Sequence, residues 1–244
     1  MSAGRVVVGG EALVDLVPAG DGTYAAREGG GPYNVALAVA RLGVPTAFLS
    51  RTSTDAFGER LLARLGDAGV DLDLLQRGEE PTTLAVVGLA PDGGASYTFY
   101  TGGTADRLVA DPGDLPDGVA AVSFGTLSLL LEPGASVYEA VLRREAAAGR
   151  LVVLDPNVRP ALVPDADAYR ERFRSWLPSV GLLKLSDFDA AWLAGSGDGD
   201  DGSGDGAAGI AAWAEAGLEG GQEAIVDHVP FRLARVHRLF NGSA

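Results

Sequence analysis

The stretch Glu28-Gly-Gly-Gly-Pro-Tyr-Asn34-Val-Ala holds the residues best suited to contact a ligand. Three glycines ahead of a helix let the backbone come close to a bound molecule without interference from Cβ atoms. Asn34, in the first turn of that helix, offers a donor and an acceptor together, which suits a hydroxyl group. A glycine-rich turn with an Asn near a helix start explains the same letters without any ligand. Asp15 is a second candidate, set among Leu13, Val14, Leu16 and Val17. An acid in such a strand either faces solvent or accepts hydrogen bonds from a polar ligand. Other phosphate-binding patterns are missing where they would be needed. Gly9-Gly10 follows the first strand without continuing into Gly-x-Gly-x-x-Gly, and no glycine-rich loop ends in Gly-Lys-Ser/Thr.

The elements that must position these residues alternate between strand and helix signals, the pattern of a largely parallel sheet covered by helices. Strands are expected at 5–9, 46–51, 120–124, 151–155 and 181–185, with another starting at 223–226. Helices are expected over 33–42, 56–68, 135–148, 166–176, 188–193 and 207–216. In the first of them Val35, Ala38, Val39 and Leu42 share a face. The β-type segments 82–90 and 95–101 flank Pro91-Asp-Gly-Gly, a hairpin turn signal, and such an insertion often projects as a flap over a site. The Gly/Asp/Ser run 196–206 reads as a flexible solvated loop. Asp198 and Asp200 in it fit the first two positions of a calcium loop, but Gly202 stands where a third ligand belongs. From His228 to Ala244 there is no acid, and Arg232, Arg235 and Arg238 make the tail basic in an otherwise acidic chain.

With 19 Lys and Arg against 33 Asp and Glu, the formal charge is −14. A general nucleic-acid or anionic-membrane surface is thereby excluded, while one nucleotide in a local site is not. Zero cysteines exclude disulfide and thiolate chemistry. No apolar run is long enough to span a bilayer and the first residues lack a signal-peptide layout, so cytoplasmic residence is expected.

Taken in order, Gly10-Glu-Ala-Leu-Val-Asp15, Gly29-Gly-Gly-Pro-Tyr-Asn34, Ala40-Arg-Leu-Gly43 and Asp55-Ala-Phe-Gly58 resemble the N-terminal half of ribokinase/pfkB-family carbohydrate kinases, the fructokinase-like branch above all. Pro81-Thr-Thr-Leu-Ala and Tyr97-Thr-Phe-Tyr100 resemble the strands of that family's β lid. Leu154-Asp-Pro-Asn-Val-Arg159 and Lys184-Leu-Ser-Asp-Phe-Asp189 resemble two later segments. The resemblance implies a three-layer α/β/α, Rossmann-like (ribokinase-like) sandwich over 1–227, with a small lid from about 13–26 and 82–101 and a divergent tail at 228–244. It implies ATP-dependent phosphorylation of a sugar hydroxyl, with fructose as the leading substrate, Mg²⁺ as cofactor, and a homodimer through the lid. A nucleoside stays open as an alternative. By the same resemblance Asp15, Gly30, Gly31 and Asn34 hold sugar hydroxyls, Tyr100 packs on the sugar from the lid, and Arg159 faces the sugar or the transferred phosphate. Lys184 and Ser186 fall in the nucleotide and phosphate region, and Asp189 falls where a metal is organised, while an acid at a helix start that stabilises its own N-terminus explains Asp189 equally well.

Four departures from the family pattern stand out. Ser53 replaces an expected glycine, and Ser186-x-x-Asp189 replaces Asn-x-x-Glu. Tyr100-Thr-Gly lacks the arginine that members acting on sugar acids place there. The later Gly-Ala-Gly-Asp segment, with its anion-binding helix start and proton-accepting Asp, does not occur; Val226-Asp-His228 is followed by Val-Pro-Phe instead. The resemblance therefore implies a chain lacking the catalytic base and ending before the adenine-binding part. The alternative reading is a sugar-binding remnant without kinase activity.

Overall fold

The computed structural model describes residues 4–89, 95–195, 223–228 and 232–236. In chain order it runs β1 (Arg5–Gly9), β2 (Leu13–Gly20), β3 (Thr23–Gly29), α1 (Gly31–Arg41), β4 (Thr46–Ser53), α2 (Ala56–Asp67), β5 (Leu75–Gly78), β6 (Thr83–Leu89) and β7 (Ala95–Tyr100). It continues with β8 (Val119–Gly125), α3 (Gly134–Ala147), β9 (Leu151–Asp155), α4 (Ala166–Trp176), β10 (Leu182–Ser186), α5 (Asp187–Ala194), β11 (Glu223–His228) and β12 (Arg232–Val236). The expected hairpin turn at 91–94, the loop at 196–206 with its Asp198 and Asp200, and the helix at 207–216 lie outside the described residues.

One sheet has the order β12-β11-β10-β9-β8-β1-β4-β5, and a second has the order β3-β2-β6-β7. All neighbours in the large sheet are parallel except β11 and β12. Residues 232–236, expected as part of a divergent tail, thus form an antiparallel edge strand. The β1 run Val6-Val7-Val8 is apolar at successive positions because both faces of a central parallel strand are covered. Successive side chains point opposite ways. Val8 and Phe48 join Tyr33, Leu37, Leu61 and Leu65 beneath α1 and α2. Val7 and Leu49 join Tyr138, Phe173, Trp176 and Trp192 beneath α3, α4 and α5. The result is three layers, each fully buried large side chain contributing roughly 2 kcal/mol.

The face expected for α1 is wrong. Its buried residues are Pro32, Tyr33, Ala36 and Leu37, while Leu42 is 81% exposed and Val35 is also exposed. Tyr33 decides the rotation, since its ring packs edge-on to Phe48 and its hydroxyl donates to the Leu61 carbonyl at 3.1 Å.

Asp55 caps α2 by accepting from the Gly58 N–H at 2.8 Å, and it also accepts from the N–H and hydroxyl of Thr82 at 2.9 and 2.7 Å. One carboxylate thereby ties a helix start to the root of β6. A Cβ on Gly58 would lie 1.9 Å from the Ser53 carbonyl oxygen. Gly58→Ala is expected to destabilise the fold by about 2–3 kcal/mol. The check is a urea midpoint that falls while the slope stays constant. Among the described residues no helix is long and apolar enough to cross a membrane.

Candidate functional site

The carboxyl ends of β1 and β8 lie side by side, with Gly9 opposite Phe124. From β1 the chain order runs outward to β4 on one flank and to β8 on the other, and a crevice opens where strand order reverses in this way. Glu11 follows β1 there, and Thr126 and Leu127 follow β8. Two cleft residues carry left-handed backbone, Thr126 with φ 56° and Asn157 with φ 38°. For a β-branched residue such as Thr126 this is a true outlier, of the kind that gathers at functional sites.

A cleft of about 210 Å³ sits on this floor, and Asp15, Gly30, Gly31, Asn34 and Arg159 all line it. These five come from β2, the α1 start and the loop after β9, elements far apart in sequence. The small sheet supplies the roof through Tyr97 and Phe99, whose rings stack at 6.0 Å with planes 16° apart. Its underside packs on the floor, with Leu13, Ala85 and Leu127 buried together and Phe99 against them.

Asp15 is half-buried, and that burial pushes its carboxyl above the usual range. Gly30 is the α1 N-cap at φ 110°, and its carbonyl accepts from the Asn34 N–H at 3.0 Å. A Cβ there would lie 2.7 Å from the Glu11 carbonyl oxygen. The glycine therefore serves chain-to-chain approach as well as access to the cleft. Arg159 folds back so that Nη1 donates to the Asn157 carbonyl at 2.9 Å and side-chain oxygen at 2.8 Å, and to the Val158 carbonyl at 3.0 Å.

Tyr100 is not where the resemblance put it. It is 59% exposed and does not line the cleft, because the period of two along β7 gives one face to Tyr97 and Phe99 and the other to Thr98 and Tyr100. Of the two roles open to Asp189 the structure shows the one at a helix start, and Ser186 shares it. They form a reciprocal capping box at the α5 start, in which the Ser186 hydroxyl accepts from the Asp189 N–H at 3.1 Å and Asp189 Oδ2 accepts from the Ser186 N–H at 2.9 Å and hydroxyl at 2.6 Å. Asp189 Oδ1 accepts from the Val158 N–H at 2.7 Å, and the residue is 1% exposed. A carboxylate so engaged and so enclosed holds the 157–159 turn in place and presents no open face to a hydrated metal. The Lys184 ammonium pairs with Asp155 at 3.2 Å; burial raises the Asp155 carboxyl, and Lys184 works against that rise.

Glu11 escaped notice in the sequence. It is 3% exposed and lines the cleft floor. Its Oε1 accepts from the Gly31 N–H at 3.2 Å and from the Thr126 hydroxyl, and its Oε2 accepts from the Ser128 N–H at 3.1 Å and from the Ser128 hydroxyl. Burial pushes its carboxyl up to about 7, against the lowering effect of these bonds.

Comparison with known proteins gives this geometry a context. A family model described as pfkB family carbohydrate kinase matches residues 3–227. A fructokinase from Rhizobium leguminosarum bv. trifolii is 40% identical over 197 residues, covering 78% of this chain and 60% of that protein. A fructokinase from Xylella fastidiosa solved with bound ATP superposes with a TM-score of 0.79 at 29% identity, over 94% of this chain and 70% of that one. A fructokinase double mutant from Vibrio cholerae O395, solved with fructose, ADP and potassium bound, gives 0.79 at 26% identity, over 92% and 70%. The chain spans 60–64% of the length of the first fructokinases it matches. By sequence over nearly its whole length, and by a fold whose strand-end cleft gathers the motif residues, the chain belongs to the pfkB family of carbohydrate kinases.

Proposed function

We propose that this chain carries the sugar site of an ATP-dependent carbohydrate kinase, with fructose or a related ketose as substrate. The observation that carries the reading is the convergence of Asp15, Asn34, Arg159 and the Gly30–Gly31 backbone on one cleft. At about 210 Å³ it is below the roughly 300–1,000 Å³ of sites for drug-sized ligands, which favours a monosaccharide over a nucleotide as its occupant. Asp15 accepts hydrogen bonds from sugar hydroxyls, and Asn34 both donates and accepts. Phe99 and Tyr97 cover the apolar C–H face of the ring. Arg159 supplies fixed positive charge for anionic oxygens near the reacting hydroxyl.

ATP is the phosphoryl donor in this reading, with Lys184 exchanging its Asp155 partner for phosphate oxygens. Among the described residues no three His, Cys, Asp or Glu side chains gather where a metal ion could sit. Magnesium is usually held by one or two carboxylates together with substrate phosphates, so in this reading Mg²⁺ comes with the nucleotide. A cytoplasmic location and pairing of two copies through the small sheet belong to the same proposal.

Phosphoryl transfer rests on positioning and charge stabilisation. No Gly-Ala-Gly-Asp occurs in these 244 residues, so the proposal for this chain alone is sugar binding with sugar-dependent ADP release at background. Calorimetric titration with fructose, ribose and adenosine, alongside an ADP-release assay with Mg-ATP, tests both halves. Turnover dependent on one sugar and lost in Asp15→Ala would assign the whole reaction to this chain. Folded protein that binds none of the three would end the sugar-site reading.

A further inference from the structure

Glu11 is a buried acid that the sugar-contact set leaves without a task, and it lies between the two halves of the cleft floor. Its four hydrogen bonds reach the α1 start at Gly31 and the segment after β8 at Thr126 and Ser128. Thr126 is held in left-handed backbone, lines the cleft, and has one hydroxyl hydrogen to give. With Glu11 ionised, that hydrogen goes to Oε1, and the oxygen lone pairs of Thr126 are what the cleft receives. With Glu11 protonated, the carboxylic acid itself becomes a donor, and the Thr126 oxygen is no longer fixed as an acceptor.

Resting on the sugar-site reading, we propose that Glu11 is a positioning residue that acts through Thr126, fixing the Thr126 hydroxyl oxygen as an acceptor for one sugar hydroxyl. The other groups facing Glu11 are Asp106, Arg107 and Tyr138, which share a small cavity with it, and Asp15 and Arg159, which line the cleft with it. Asp106 is buried, and its burial keeps its carboxyl raised. When ionised, Asp106 adds by charge repulsion to the effect of burial on Glu11.

Opposite pH trends follow for binding and for folding. Glu11 ionises as pH rises through about 7, so sugar affinity rises over that interval. A group whose folded pKa lies above its unfolded value stabilises the fold fully below the unfolded pKa, and that contribution is lost as pH rises through the folded value. The Glu11 contribution to stability therefore falls over the interval in which affinity rises.

The test is calorimetric titration of the full chain with fructose from about pH 6 to about pH 8, a range that brackets the titration. The proteins are the wild type, Glu11→Gln, Thr126→Val and the double variant. Loss of one hydrogen bond is expected to weaken binding about tenfold in each single variant, and the double variant is expected to be no weaker than Thr126→Val alone. Wild-type affinity should rise with pH while Thr126→Val stays flat. That second comparison decides the matter if Glu11→Gln fails to fold. Additive losses, an unaffected Glu11→Gln, or a wild type whose pH dependence survives in Thr126→Val would overturn the inference and leave the sugar site standing. A folded wild type that binds no sugar would instead remove the reading on which the inference rests.

Discussion

Asp15→Ala is expected to weaken sugar binding by about a hundredfold or more while leaving the protein folded. Asp15 sits in β2, the strand that pairs with both β3 and β6, so its backbone position is fixed on two sides. Removing the carboxylate leaves the sugar hydroxyls it receives without an acceptor in the cleft. Hydrogen bonds to a charged group are worth about 1.5–3 kcal/mol each, and two of them account for the expected loss. The fold should not suffer. Burial raises the Asp15 carboxyl, so its charge at neutral pH opposes folding, and alanine relieves that cost. A melting temperature equal to or above the wild type, together with lost binding, is the expected pair of results. Unchanged binding would remove Asp15 from the site.

Asp189→Ala should do the reverse and cost the fold about 3 kcal/mol. The substitution removes half of the capping box at α5 and strips the acceptor from the Val158 N–H in a place water does not reach. A lost cap costs about 1 kcal/mol, and a buried donor left alone adds about 1–3 kcal/mol. Asn157 and Arg159 stand on either side of Val158, so sugar affinity should also fall. Urea unfolding measures the first effect and titration the second. Wild-type stability should not respond to Mg²⁺ or to a chelator. A magnesium-dependent rise in melting temperature that disappears in Asp189→Ala would restore the metal role for this residue.

What could be read from the sequence was what the chain encodes locally. Alternating apolar runs and helix periods are local, and β1, β4, β8, β9 and α4 lie close to where they are expected. The Ser186-x-x-Asp189 spacing is a local capping signal, and of the two roles open to Asp189 the structure shows the one at the helix start. Tyr100 went astray by a single residue, since on a strand that is enough to change faces. The buried face of α1 turned on Tyr33, whose partners Phe48 and Leu61 belong to other elements. Glu11 stands inside the Gly10-Glu-Ala-Leu-Val-Asp15 motif, but nothing local points to its burial or its partners. Its hydroxyl partners Thr126 and Ser128 are 115 and 117 positions away, and only the parallel pairing of β1 with β8 brings them near.

That same pairing bears on how the protein is made. During synthesis β1 and β4 can meet early, but the other flank of β1 stays an open edge until β8 has emerged. Until then Glu11 has neither Thr126 nor Ser128, and the cleft has no floor. Contacts of such sequence separation form slowly because the intervening loop must close before they give any return. The sugar pocket is thus a late product of folding. In hydrogen exchange during refolding, the Gly31 and Ser128 amides, which both donate to Glu11, should become protected together and after the α1 helix.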